Sequence, residues 1–303
     1  MNKKVTLNLQ ENRDIGQILN ATFVFIGITF KKLFRDIMLI SGPFYVLAGV
    51  FSSLTTFNTL RMIGTFGSSN SVFSQFQFFS PAYWLNLLCL LIGWSLSATI
   101  IGNHVLQYKL NGPDYDVHEV RKSIRGDIMR VILGNFLNVL VIIAACILFL
   151  IPGIYLAVAN SLLTTIIVLD KKTTTIDAFG ESRRLIRDNW WAACGLGIIV
   201  GIITSAVQFV FKVPSTILTT VLTFNTIRHG DGADSYQILF IALNAIAFLG
   251  VALVSAVSVV ASAIYYYSLK EKKDHTALMQ NIENIGVQTA QSQTETQKDE
   301  GDY

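Results

Sequence analysis

Charge is scarce in this sequence. Only 14% of its 303 residues are Asp, Glu, Lys or Arg, against about 25% in a typical soluble domain, which excludes an ordinary soluble globular protein. From residue 131 to residue 169 there is no charged side chain at all. Cysteine is nearly absent: Cys89, Cys146 and Cys194 lie far apart inside apolar segments, with no C-x-x-C spacing. That excludes a disulfide framework or a cysteine zinc module and leaves three small lipid-soluble side chains. The net charge of +3 is too small to point to nucleic acid. No Gly-rich phosphate loop and no G-x-S-x-G elbow occurs where a strand-to-helix context would support it. Met1 to Asp14 is polar and lacks the short apolar core of a cleavable signal, so residues 1–12 read as a cytoplasmic amino-terminal segment.

What the chain does have is long apolar runs. It is 52% hydrophobic with a mean hydropathy of +0.51, and several runs reach the roughly 20 residues needed to cross about 30 Å of hydrocarbon. The expected class is all-α, an integral membrane bundle of about six transmembrane helices. The membrane domain is 13–270, with spans at about 37–57, 83–106, 131–151, 154–169, 191–211 and 237–267. Residues 15–34 end in Lys31, Lys32 and Arg35, and this suits an amphipathic helix lying in the interface. A second interfacial helix is expected at 173–189, with Ile176, Phe179, Leu185 and Ile186 as its apolar stripe. Trp190 and Trp191 read as interfacial anchors for the fifth span. Lys212-Val213-Pro214 is expected to interrupt that span, leaving 215–226 as a short re-entrant or surface helix. The polar remainder, 271–303, reads as a disordered cytoplasmic tail.

The uncharged run needs a turn. As one helix, 131–169 would be about 58 Å long, roughly twice the hydrocarbon thickness. Pro152 removes a backbone donor and Gly153 loosens the helix, which makes this pair the natural hairpin turn. With six spans, the amino terminus, the 2–3 loop, the 4–5 loop and the carboxy terminus share one side with 20 of the 23 Lys and Arg residues. Only Arg61, Lys212 and Arg228 fall opposite. The positive-inside tendency then places both termini in the cytoplasm and the protein in a bacterial cytoplasmic membrane.

Three entries into the membrane echo one another: FRDIML (34–39), IRGDIMRV (124–131) and IRDNWW (186–191). Each sets an arginine beside or near an aspartate, as Arg35/Asp36, Arg125/Asp127 and Arg187/Asp188. They fit three successive units, each a surface helix followed by a hairpin, and they also fit the ordinary placement of Asp and Arg at helix ends. The stretch from Leu150 to Ile199 resembles a family of bacterial integral membrane proteins. It is described as glycerophosphoryl diester phosphodiesterase membrane-domain-like, or as of unknown function. The residues that carry the resemblance are Ile151-Pro152-Gly153-Ile154-Tyr155, Asp170, Asp177-Ala178-Phe179, Ser182, Leu185 and Asn189, and the style is that of Bacteroidota members. The resemblance implies a membrane fold and no reaction.

No catalytic residue, cofactor or metal is expected. No Asp, Glu, Lys or Arg lies near a span midplane, and the expected absence of buried carboxylates argues against an ion-coupled transporter. His104, near the end of span two, is a hydrogen-bonding partner for a neighbouring helix or, less simply, a proton relay. The other histidines, His118, His229 and His275, are too scattered to share an ion with it. Arg121, Lys122, Arg125, Lys171, Lys172, Arg183, Arg184 and Arg187 make a basic rim that either orients the protein or binds lipid headgroups. Asn135, Asn138 and Asn160 form a polar seam, read as interhelical hydrogen bonding or as a solute path. Gly197, Gly201 and Ser205 repeat at four-residue spacing, which predicts close packing within the bundle or with a second copy. The Phe-rich SVFSQFQFF (71–79) is a partner-docking or membrane-surface segment. The expected partners are the bilayer, anionic lipids, and another copy or another membrane protein. The leading expectation is a non-enzymatic protein of lipid or envelope organisation, or the membrane subunit of an assembly. Its alternative is a facilitator of a small apolar or weakly polar solute, and a membrane-embedded enzyme comes third.

Overall fold

The computed structural model describes residues 7–9, 11–64, 80–229 and 236–299; side chains at 61–64, 227, 229 and from 274 on lie outside that description. The segment 71–79 and most of the loop before the last span also lie outside it. The described chain is all-α, with no strand. Six of its helices or helical rods are long and apolar enough to cross a membrane: Ile15–Leu60, Pro81–Asn111, Val117–Leu148, Leu150–Leu169, Thr175–Thr226 and Gln237–Lys273.

Helix α1 (Ile15–Asp36) starts with a capping box, in which Asp14 accepts from the Gln17 amide and the Gln17 side chain accepts from the Asp14 amide. Its buried stripe is Ile18, Ala21, Thr22, Phe25, Thr29 and Leu33, while Phe23, Phe30 and Phe34 face outward. The expected break after residue 34 is absent. A π-helical turn, Ile37–Ser41, joins α1 directly to α2 (Gly42–Gly64), and Gly42-Pro43 is tolerated because Pro43 falls in the first turn of α2. Helix α1 meets its neighbour at two places. From Phe25, edge-on to Tyr108 at 5.1 Å, to Asp36, opposite His104, α1 rises about 16 Å while α3 (Pro81–Asn111) rises only about 6 Å.

The long uncharged run does fold back on itself, but not at Pro152-Gly153. Helix α4 (Val117–Leu148) ends at Phe149, whose backbone is extended, and α5 (Leu150–Ala159) begins at once. Pro152 occupies the first turn of α5, where its missing N–H costs nothing. Gly153 serves contact instead of bending: a Cβ there would meet the Cys146 sulfur at 2.2 Å and its Cα at 3.0 Å. The tip is bare apolar surface, with Ile151 81% exposed, as suits a lipid-facing hairpin. Asn160–Leu162 breaks the return leg before α6 (Leu163–Leu169).

Helix α7 (Thr175–Ile186), N-capped by Thr174, buries Ala178, Ser182, Leu185 and Ile186. Phe179 packs partly against the core, but Ile176 is 77% exposed and does not belong to the stripe. A single 3₁₀ turn, Arg187–Asn189, leads into α8 (Trp190–His229), which contains Pro214 without breaking. The expected short helix at 215–226 is therefore the continuation of α8. Its hydroxyls back-bond to its own carbonyls, Ser215 and Thr216 both to Lys212, beside the donor that Pro214 lacks. At 40 residues α8 is about 60 Å long, twice the hydrocarbon thickness. Its far half packs with α2 and the start of α9 (Gln237–Asp299) around a second small core of Phe57, Leu60, Leu222 and Phe240. The expected tail begins inside α9, whose helix continues to Asp299.

The glycine stripe on α8 does not mediate packing within the chain, since a Cβ on Gly197 or Gly201 would meet nothing within 4 Å. Close approach happens elsewhere. A Cβ on Gly250 would lie 2.4 Å from the Phe211 ring, and one on Gly49 would lie 2.9 Å from the Ala245 backbone.

Candidate functional site

The basic ends of the helices meet in one region, and two carboxylates are buried there. Asp36 is 0% and Asp127 4% exposed, contrary to the expectation of no buried carboxylate. The cost of burying a charge demands partners, and both have them. One oxygen of Asp36 accepts from the Arg121 guanidinium, Nε at 3.1 Å and Nη2 at 2.5 Å. The other faces His104 Nε2 at 3.2 Å, and His104 Nδ1 faces the Tyr115 hydroxyl at 2.7 Å. An ionised carboxylate only accepts, so Nε2 carries the proton and Nδ1 accepts from the Tyr115 O–H. Burial first, then the charge on Asp36, raises the Tyr115 phenol above its ordinary value, which keeps it a donor. Lys32 lies over the Tyr115 ring, 4.0 Å from its centre, and donates to the carbonyls of Pro113 and Tyr115.

Asp127 is held by the residue next to His104. The Asn103 amide donates to Asp127 at 3.0 Å, and Lys171 donates to both Asp127 and the Asn103 carbonyl oxygen. Successive residues of α3 thus hold the two buried aspartates, one from the end of α1 and one from α4. A third pair completes the pattern: Asp188, just before α8, lies 3.6 Å from Lys273 of α9 and is 71% exposed.

These three aspartates are those of the three sequence echoes, at the end of α1, within α4 and just before α8, and each meets a group on or just past the returning leg of the hairpin that follows. The pairs are Asp36 with His104, Asp127 with Lys171, and Asp188 with Lys273. The arginines of the echoes, Arg35, Arg125 and Arg187, are exposed. Each echo thus carries an aspartate paired with a residue of the hairpin that follows it. The linear spacing hid this because each partner lies tens of residues downstream.

The structure sorts the eight rim cations. Arg121 and Lys171 turn inward to the aspartates. Arg183 donates to the side-chain oxygen of Asn160 at 3.2 Å, and Arg184 pairs with Glu181 at 2.8 Å. Lys122, Arg125, Lys172 and Arg187 are exposed. The polar seam is mutually satisfied: Asn135 donates to Ser95 and accepts from Thr164, and Asn160 donates to Asn138. Beside it lies a cavity of about 60 Å³, walled in part by Gly102, Ser161, Thr164, Ser258 and Ser262. By volume it has room for a water or two, not for a solute. A larger lateral cavity of about 590 Å³ runs along Tyr155, Arg187, Asp188 and Trp190, where the Tyr155 and Trp190 rings stack at 5.9 Å. Among the described residues no three His, Cys, Asp or Glu side chains group to hold a metal, and the three cysteines are free.

Residues 123–269 match a family model described as a domain of unknown function (DUF7847). The match spans the second hairpin with its Asp127–Lys171 pair and most of the third, and stops short of Lys273. No curated protein and no solved structure matches the chain. The fold describes a multi-pass membrane protein, and its second half is similar to an uncharacterised family.

Proposed function

We propose that this protein is a non-enzymatic component of a bacterial cytoplasmic membrane that engages anionic lipid headgroups through its basic end, acting in envelope organisation or as the membrane subunit of an assembly. The observation that carries this reading is the division of labour among the cations. Arg121 and Lys171 are consumed by the buried aspartates, whereas Lys122, Arg125, Lys172 and Arg187 face outward at the same end. Each cation near an anionic leaflet is worth about 1 kcal/mol. By the positive-inside tendency the basic end, and both termini, face the cytoplasm. The resemblance of 150–199 to the glycerophosphoryl diester phosphodiesterase membrane-domain family supports a membrane role and brings no reaction with it.

The decisive experiment is lipid retention. The detergent-purified chain, equilibrated with equal amounts of phosphatidylglycerol and phosphatidylcholine, retains the anionic lipid preferentially when re-isolated and analysed by mass spectrometry. Equal retention removes the lipid reading. A reporter fused after Gly153 tests sidedness: it works only outside the cytosol if the basic end is inside.

The runner-up, a solute facilitator along Asn135, Asn138 and Asn160, has less support, because the seam amides are spent on one another and the adjoining cavity is water-sized.

A further inference from the structure

A cavity of about 340 Å³ opens where the end of α1 meets the start of α4, walled by Lys31, Lys32, Arg35, Asp36, His118 and Arg121. Four of these are formal cations and one is a carboxylate, and that carboxylate is already spent, both its oxygens being taken by Arg121 and His104. Lys32 is bound to neutral carbonyls and an aromatic face, so its charge is uncompensated. The side chains of Lys31, Arg35 and His118 carry no hydrogen bond or ion pair among the described residues, and all three residues are exposed. Asp116, next along the chain from the cavity wall, is committed to the His118 backbone amide at 2.9 Å. A concave site with three surplus positive charges concentrates anions, and the amino-terminal end of α4 adds to the same sign.

The flanking residues set the depth. Phe30 and Phe34, alternating with Lys31 and Arg35 along α1, are 53% and 41% exposed, with ring centres 5.8 Å apart. A helix segment with exposed phenylalanines beside basic residues sits at the boundary between acyl chains and headgroups. We infer that this cavity is a phosphate site filled by the headgroup of an anionic phospholipid, with the Arg35 guanidinium gripping phosphate oxygens in a fork and Lys31 and Lys32 supplying point charge. The lipid tails run along Phe30 and Phe34. The inference rests on the reading that the basic end meets anionic lipid, and it assigns a defined place to that contact.

The test uses the full chain in neutral detergent, titrated with phosphatidylglycerol and, separately, phosphatidylcholine. Lys31→Gln with Arg35→Gln weakens phosphatidylglycerol binding roughly thirtyfold, two cations at about 1 kcal/mol each. Lys122→Gln with Arg125→Gln, two rim cations outside the cavity wall, weakens it by less than about tenfold, because they reach the headgroup only through diffuse attraction. Neither pair has a hydrogen-bond or ion-pair partner among the described residues, and unchanged thermal unfolding confirms intact folding. Equal weakening by the two pairs, or a wild-type preference that survives Lys31→Gln with Arg35→Gln, overturns the cavity and leaves the broader lipid reading standing. Absence of any preference in the wild type overturns both. An inorganic phosphate arm settles the source: lipid binding that resists millimolar phosphate supports the headgroup, and displacement by it overturns the lipid assignment in favour of the free ion.

Discussion

The three aspartate clasps share a sequence pattern and a place at the head of a hairpin, yet they end in three environments. Asp36 is wholly buried with a buried histidine and a half-exposed arginine. Asp127 is buried against a half-exposed lysine and a buried asparagine. Asp188 stands mostly in solvent beside Lys273. The difference follows from what covers each hairpin head. The end of α1 and the end of α3 close over Asp36, and α3 with Lys171 closes over Asp127. For Asp188 the corresponding surface helix, α7, ends in a single 3₁₀ turn beside it and leaves the carboxylate open. The repeated motif supplies a charge at a fixed place, and the depth of burial decides what that charge is worth.

Asp36→Ala therefore carries the largest expected effect. It leaves His104 without its acceptor at 0% exposure and strips Arg121 of its partner. Removing one member of a buried pair costs about 3 kcal/mol, the lower end of the usual range because Arg121 can relax into solvent. The measurement is the unfolding midpoint in detergent. Asp127→Ala comes next, at about 2 kcal/mol, because Lys171 is half-exposed and the Asn103 amide keeps its bond to the Thr99 carbonyl. If Asp127→Ala destabilises more than Asp36→Ala, the ranking by burial fails.

Much of this architecture could be read in the residues, and the part that could not has identifiable causes. Hydropathy and length give six crossings, because water-free backbone must close its own hydrogen bonds. The hairpin in 131–169 follows from length alone, but its turn falls at Phe149 and not at Pro152-Gly153. A proline in a first helical turn starts a helix as readily as a mid-helix proline ends one, and Pro214 inside α8 shows that even the interior position does not always end it. Gly197, Gly201 and Ser205 have the right spacing for packing, but spacing does not say whether a neighbour stands on that face. The aspartate clasps were half legible: the echo at 36, 127 and 188 marked the carboxylates. The burial of Asp36 and Asp127 depends on His104 and Asn103, 68 and 24 residues away, a juxtaposition that only the fold creates.

Tyr115→Phe refines the contrast from the far end of the Asp36 clasp. It removes the O–H donated to His104 Nδ1 and costs about 1 kcal/mol. It also carries a pH signature. The Tyr115 pKa is raised from its ordinary 10.0 by burial and by Asp36, so above that pH the folded protein holds a proton that the unfolded chain gives up. Stability from this group is full below pH 10 and is lost as pH rises towards the folded value. The wild type therefore loses stability more steeply than Tyr115→Phe in alkaline titration, and parallel curves for the two would detach Tyr115 from the clasp.

Asp188→Ala is expected to do almost nothing, and that makes it the sharpest control. With the carboxylate 71% exposed and 3.6 Å from Lys273, the pair resembles other surface ion pairs, whose worth is about 0–1 kcal/mol and falls with salt. A shift in the unfolding midpoint equivalent to less than about 0.5 kcal/mol, vanishing in high salt, places the third clasp at the solvated end of the series. A loss as large as that of Asp127→Ala would instead show that the motif acts through something other than burial. One source would be the Arg187 and Trp190 surroundings that this aspartate shares in the lateral cavity. The same variant measured at low and high ionic strength separates the two cases, because a buried contact survives salt and an exposed one does not.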